Sequence, residues 1–172
     1  MPDLKKLYKS ATPEELIFIS KGREGVKNFW KFLLSQNETE YFVGGKGAWH
    51  DPAINEERKR LFGTTRKRGI RIQGVFDYEV SQTGKDIYSQ YQVEDIRFFP
   101  KEYSTKATFD ICGERIVLFE MPKERSVESV TIFNIISKSL ADSYRTWFQF
   151  LWEHARPLKE TQKSKIALSS RT

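Results

Sequence analysis

Glu40-Tyr41-Phe42-Val43-Gly44-Gly45-Lys46-Gly47 decides the fold. A short aromatic and β-branched run ends in a loop with three glycines in four residues. It reads as a strand that leads straight into that loop. Pro52 to Gly69 follows as a strongly charged helix with few apolar positions (Ile54, Leu61, Phe62), and Gly69 is its stop. Ile70 to Phe76 alternates and reads as the next strand. Strand, loop, helix and strand make a βαβ unit, which implies parallel strands.

Upstream, Leu16-Ile17-Phe18-Ile19-Ser20 reads as a strand. Gly22 to Ser35 reads as a helix, with Val26, Phe29, Trp30, Phe32, Leu33 and Leu34 on one broad stripe. Downstream, Gly84 to Tyr91 reads as a short helix, and Val93 to Phe99 as a strand closed by Pro100. Thr108 to Ile111 and Arg115 to Glu120 flank Cys112-Gly113-Glu114, a tight hairpin signal. Val127 to Asn134 is one more strand. Ser137 to Arg156 is the strongest helix, with Leu140, Tyr144, Trp147, Phe148, Leu151 and Trp152 at spacings of three and four. Ser137 or Ser139 is its cap, and Pro157 ends it. The order β-α-β-α-β-(α)-β-β-β-β-α implies an α/β fold. Its mixed sheet is parallel in the first half, extended by antiparallel strands, and flanked by helices on both faces. Residues 16–156 form this domain, 1–15 an extension or linker remnant, and 157–172 a basic tail expected to be unstructured.

The 172 residues suit one domain. Aromatics make up 14% of the chain, which argues against disorder. Apolar runs are too short to span a membrane, and the N-terminus has no apolar signal segment. A single cysteine, Cys112, excludes an internal disulfide and points to the cytosol. The net charge of +6 invites a nucleic-acid reading. It is concentrated, however. Residues 56–71 carry +5, the tail carries +3, and the remainder is slightly acidic.

The glycine loop carries the chemistry. Gly44, Gly45 and Gly47 let a backbone approach a ligand, and in an open α/β sheet ligands bind beyond the carboxyl ends of the strands. There Lys46 attracts an anion, Trp49 stacks on a sugar or base, and His50 and Asp51 bond hydroxyls. Asp77 and Glu79, past the next strand, are further candidates. The simpler alternative is a flexible loop that merely needs glycine. Gly-Gly-Lys-Gly is neither a Walker A loop nor a dinucleotide fingerprint. His50 and His154 lack any ligand spacing, so no metal or other cofactor is expected. Arg58, Lys59, Arg60, Arg66, Lys67 and Arg68 are the candidate phosphate contacts, against the plainer reading of a solvated helix face. The aromatics of the last helix (Tyr144, Trp147, Phe148, Phe150, Trp152) exceed what one sheet-facing stripe needs. They suggest a homodimer face.

Several segments together resemble the C-terminal effector domain of the TrmB family of archaeal sugar-responsive transcription regulators. They are Gly22-Arg23-Glu24-Gly25-Val26, Tyr41-Phe42-Val43-Gly44-Gly45, Arg68-Gly69-Ile70-Arg71, and Ile96 to Ser104. Asp110 to Val117 and Leu140 to Trp152 complete the set. The resemblance runs from about residue 17 to 156. It implies a phospholipase D-like fold and a pocket for a sugar or similar small molecule. That family carries an N-terminal winged helix, for which the residues before Leu16 leave no room, so direct DNA binding by that element is not expected. Enzymes of the same fold use His-x-Lys-x-x-x-x-Asp. Matching its following glycine to Gly113 puts the His, Lys and Asp positions at Thr105, Ala107 and Cys112, and none matches. The resemblance therefore implies a ligand-sensing domain with no catalytic residues. A nucleic-acid-binding protein is the alternative, and a phosphodiesterase the reading least favoured.

Overall fold

The computed structural model describes residues 15–120 and 126–161. They form an eight-stranded mixed sheet in the order β1-β7-β6-β5-β2-β3-β4-β8. The strands are β1 (Leu16–Lys21), β2 (Glu40–Gly45), β3 (Ile72–Phe76), β4 (Ile96–Phe98), β5 (Ala107–Cys112), β6 (Arg115–Glu120), β7 (Thr131–Ile136) and β8 (Arg156–Pro157). The helices are α1 (Gly22–Gln36), α2 (Asn55–Arg68), α3 (Tyr78–Thr83), α4 (Lys85–Tyr88) and α5 (Lys138–His154).

β2, β3 and β4 are adjacent and parallel, as the βαβ reading requires. β1 departs from it. It pairs antiparallel with β7, from Leu16↔Ile136 to Lys21↔Thr131, and three strands separate it from β2. The reason lies in what α1 covers. Its apolar stripe (Val26, Phe29, Trp30, Leu33) shares a core with Val117, Phe119 and Ile132, which belong to β6 and β7. The chain therefore crosses those strands before it enters β2, and the hairpin strands fill the gap between.

Helices do cover both faces. α1 and α2 bury Val26, Phe29, Leu33 and Leu61 on one side. α5 buries Ala141 and Phe148 against Val43, Val75, Ile111 and Ile116 on the other. Ser137 is the cap of α5, its hydroxyl accepting from Leu140 N–H at 3.4 Å. Two positions expected in the core stripe of α5 are not there. Leu140 is 43% exposed and Trp147 is 56% exposed. Phe148 is buried as expected, and Ala141, one position round from Leu140, takes the contact line.

Four element edges also move. Val93–Asp95 is a 3-10 turn and not strand, as is Val127–Ser129. The hairpin turn is Gly113-Glu114 alone, with φ +56° at Gly113, so Cys112 is the last strand residue and is buried. α5 stops at His154, and Pro157 sits in β8 at the sheet edge, where a missing N–H is tolerated. Residues 158–161, expected to be unstructured, form a helical turn, and Leu158 packs on the core. The rest of the tail and residues 1–14 lie outside the described residues. Among the described residues no helix is long and apolar enough to cross a membrane.

A candidate ligand site between the sheet and its helices

Register builds the floor of the site. Phe42 on β2 lies directly opposite Asp110 on β5. Side chains alternate faces along a strand, so Glu40, Phe42, Thr108 and Asp110 all point to the α1–α2 side. Trp30, Leu61, Phe62, Trp49, His50 and Tyr91 form the walls and roof. They enclose a cavity of about 30 Å³, which is room for little more than one water molecule. Gly74 of β3 makes this packing possible. A Cβ there would stand 2.3 Å from Cδ1 of Phe42, so the ring occupies the space of the missing side chain.

Two carboxyls are buried in this floor. Burial pushes Glu40 up to about 8, opposed by the hydrogen bond it shares with Asp110. Burial raises Asp110 well above the carboxylate range, and the charge and hydrogen bond of Glu40 raise it further. The two therefore hold a proton at neutral pH, because two carboxylates in one dry site cannot both ionise. Asp110 is 1% exposed, and apart from the proton it shares with Glu40 its oxygens meet no hydrogen-bond partner. Glu40 is the group close enough to exchange a proton with it. Tyr91 is pushed upward, mainly by burial and then by the acids.

The glycine loop lies at one side of the cavity. Gly45, Lys46, Gly47, Trp49 and His50 line it, whereas Gly44 and Asp77 do not. The glycines serve the protein's own packing. At Gly44, with φ +77°, a Cβ would meet the Ala107 carbonyl at 2.8 Å; at Gly47, with φ +79°, it would meet Ile87 at 2.2 Å. Trp49 makes edge contacts with Trp30 and Phe119 and so belongs to the core. Lys46 Nζ bonds Asp77 Oδ2 at 2.7 Å, the Gly44 carbonyl at 2.7 Å and the Ala107 carbonyl at 3.2 Å, with Thr105 Oγ1 at 3.5 Å. Burial raises the Asp77 carboxyl even so, with the Lys46 hydrogen bond opposing. His50 Nε2 lies 3.2 Å from the Gln90 amide nitrogen, and burial, helped by the Arg58 charge, pushes it down to about 4. Asp51 accepts from Ala53 N–H at 2.8 Å and Val127 N–H at 2.7 Å, and Glu79 accepts from Ser104 at 2.8 Å.

The sequence reading thus found one wall of the cavity and missed its floor. Glu40, Phe42, Tyr91, Thr108 and Asp110 were not candidates. The available signal was a carboxylate inside an apolar strand pattern, as in Phe109-Asp110-Ile111-Cys112. Such a residue on a buried face must be paired, protonated or functional.

Several side chains of the basic segment make contacts at the surface. Arg58 bonds the Trp49 carbonyl at 3.3 Å and the Asn55 side chain at 2.5 Å. Lys59 pairs with Glu56 at 2.9 Å. Arg66 bonds the Gln90 carbonyl at 2.8 Å and Arg68 the Leu34 carbonyl at 3.0 Å. Arg66, Lys67 and Arg68 form the last turn of α2, where cations complement the helix dipole. Lys59, Arg60, Arg66, Lys67 and Arg68 are all exposed. His154 bonds the Phe150 carbonyl at 2.7 Å, far along the chain from the cavity residues. Among the described residues no group of three His, Cys, Asp or Glu side chains could hold a metal ion.

No family model matches the chain, and no curated protein matches it. Solved structures do. Nuc from Salmonella typhimurium, a phospholipase D family member, matches with a TM-score of 0.58 at 19% identity, over 83% of this chain and 97% of that one. NucT from Helicobacter pylori matches with a TM-score of 0.57 at 11% identity, over 84% and 99%. TrmBL2, an archaeal chromatin protein, matches with a TM-score of 0.52 at 12% identity. The match takes in 90% of this chain but only 58% of TrmBL2, so the chain spans little more than half of that protein. These likenesses establish the fold. The chain has the phospholipase D-like fold that these structures share.

Proposed function

We propose that this chain is a regulatory domain that senses a small polar molecule in the Glu40–Asp110 cavity and does not hydrolyse phosphodiesters. One observation carries the reading. Where the resemblance puts a catalytic His and Lys, the chain has Thr105 and Ala107, and Lys46 reaches over to bond both residues and Asp77. The amine's three N–H donors are spent on four oxygens, so the corner is closed on itself and offers no nucleophile. A sugar, the ligand class expected from the resemblance, is larger than the cavity in its present form. The test is twofold. The purified chain should show no turnover of a generic phosphodiester, and a thermal-shift panel of sugars, nucleotides, amines and small ions should raise the melting temperature for at least one member. Turnover abolished by His50→Ala would overturn the reading.

The regulator is proposed to act as a homodimer. Phe150 of α5, 60% exposed, stands at the wall of an apolar groove of about 640 Å³ lined also by Val43, Phe99, Tyr103, Phe109 and Leu118. A knob and a hole on one face suit a two-fold contact between identical chains. TrmBL2, which shares the fold, binds DNA. Of the basic segment of this chain, only Arg58 is partly buried and tied to the Trp49 carbonyl and Asn55, which weighs only slightly against it as a corresponding surface. A gel shift at two salt concentrations checks this, with no steeply salt-dependent complex expected.

A further inference from the structure

We propose that the Glu40–Asp110 cavity binds an ammonium-type cation, either free ammonium or the charged head of a small primary amine. The proposal rests on the reading of this cavity as the sensing site and names the chemistry it selects.

The first support is the buried acid. Asp110 is almost wholly buried and lines the cavity, and apart from the acid hydrogen bond it shares with Glu40 its oxygens have no partner. Leaving a buried acceptor unmade is costly, and a donor placed in the cavity removes the cost. The second is size. About 30 Å³ admits a nitrogen with its hydrogens and excludes a sugar ring. The third is the lining. Beyond Glu40, Asp110 and the Thr108 hydroxyl, the surfaces are largely aromatic: Phe42, Phe62, Trp49 and Tyr91. Aromatic rings tolerate a cation where alkyl groups do not. The oxygen count also separates ammonium from a hard dication. Calcium takes six to eight oxygen ligands and magnesium demands an octahedron, whereas ammonium needs only four donor contacts, which two carboxyls, one hydroxyl and a ring can meet.

The nearby cations of the protein do not fill the place. Lys46 is turned to Asp77, and Arg58 to the Trp49 carbonyl and Asn55. The proton that the two acids hold is what an incoming cation displaces. The other groups facing the pair keep their charge state between pH 6 and 8. Tyr91 and Cys112 are pushed upward and stay neutral, and His50 is held low and stays neutral. Arg58 keeps its positive charge. At one remove, Asp86 faces His50, while Glu38 and Arg115 face Cys112. Binding therefore releases a proton and tightens as pH rises, by up to about tenfold per unit while one proton is displaced.

Thermal melts and calorimetry of the full chain test this, in sodium, ammonium, methylammonium and tetramethylammonium chloride at equal ionic strength and at pH 6 and 8. Ammonium should raise the melting temperature above sodium, more at pH 8 than at pH 6, with heats that depend on buffer ionisation because a proton leaves. Methylammonium binding as well as ammonium assigns an amine head; ammonium alone assigns the free ion. Tetramethylammonium, without an N–H, should do nothing. Asp110→Asn should abolish the ammonium effect. If that variant does not fold, Glu40→Gln, which removes one of the two carboxyls, should keep the fold and weaken the ammonium shift. Equal melting in sodium, ammonium and methylammonium at both pH values, without heat, overturns the proposal. If a sugar or nucleotide shifts the melt when both amines fail, the sensing reading survives and only the cation is wrong.

Discussion

At Gly74 a side chain has nowhere to go, because the Phe42 ring lies 2.3 Å from where its Cβ would stand. Gly74→Ala should therefore cost about 1–3 kcal/mol, as overpacked cores do, measured by denaturant unfolding. Gly69 is the contrast. It caps α2 with φ +69° and has open space around it, so Gly69→Ala meets only the backbone penalty, about 1 kcal/mol. Gly69 was legible as a helix stop, whereas Gly74 sat inside an alternating strand, and only the register of β2 against β3 shows that it makes room for Phe42. Glu40 gives the matching lesson in charge. Its folded pKa is raised from 4.5 to about 8, so the folded state holds the proton more tightly than the unfolded one. The stabilising contribution is full below pH 4.5 and is lost as pH rises through 8. The melting temperature should fall between pH 6 and 9, and Glu40→Gln, which cannot ionise, should flatten that slope. A slope unchanged in the variant would show that the acid pair does not govern it.

At the scale of elements, most segments could be read from periodicity because local pattern specifies them. β2, β3, α1, α2 and the β5–β6 hairpin lie within a few residues of their expected bounds. The placement of β1 was not legible. Its sequence is that of any short strand, and its partner β7 is more than a hundred residues away, chosen by what α1 must cover. The aromatic stripe of α5 misled for a related reason. Spacing of three and four defines a stripe but not which edge of it meets the sheet, and Ala141, too small to look decisive, marks the contact line. The cap of α5 was readable, with Ser137 preferred over Ser139 once the first bonded N–H is known. Ser137→Ala should lower stability by about 1 kcal/mol, the usual worth of an N-cap hydroxyl. Ser139→Ala, inside the first turn and exposed, should change it little. Equal losses in the two variants would mean that Ser137 does not act as the cap.

For the whole molecule, the sheet is longer than the helix that covers one of its faces. Ile17 and Ile19 of β1 lie opposite Ile135 and Phe133 of β7, on the side where α5 packs, but beyond the reach of that helix. Ile17 is 72% exposed, and on α5 itself Phe150 is 60% exposed. Scattered surface hydrophobics are ordinary, but a run of them on one face, continuous with an apolar groove, marks an interaction site. Among the described residues, Tyr103 and Phe150 are exposed and line the groove, and Leu140 and Trp147 of α5 are exposed too. A second copy that seats Phe150 in the groove beside its partner's Phe150 would cover both knobs at once, which is the economy of an isologous contact. The chain should therefore sediment as a concentration-dependent dimer. Phe150→Glu should shift it to monomer, and Ile17→Lys should weaken it if β1 shares the contact. Both positions are exposed, so neither variant should alter the stability of dilute protein by more than about 0.5 kcal/mol. Loss of association without loss of fold separates an interface from a core. A wild-type chain that stays monomeric at every concentration would leave that face to another partner and remove the dimer from the proposed mechanism. The ammonium site would stand regardless, because it is enclosed by α1 and α2 on the opposite side of the sheet.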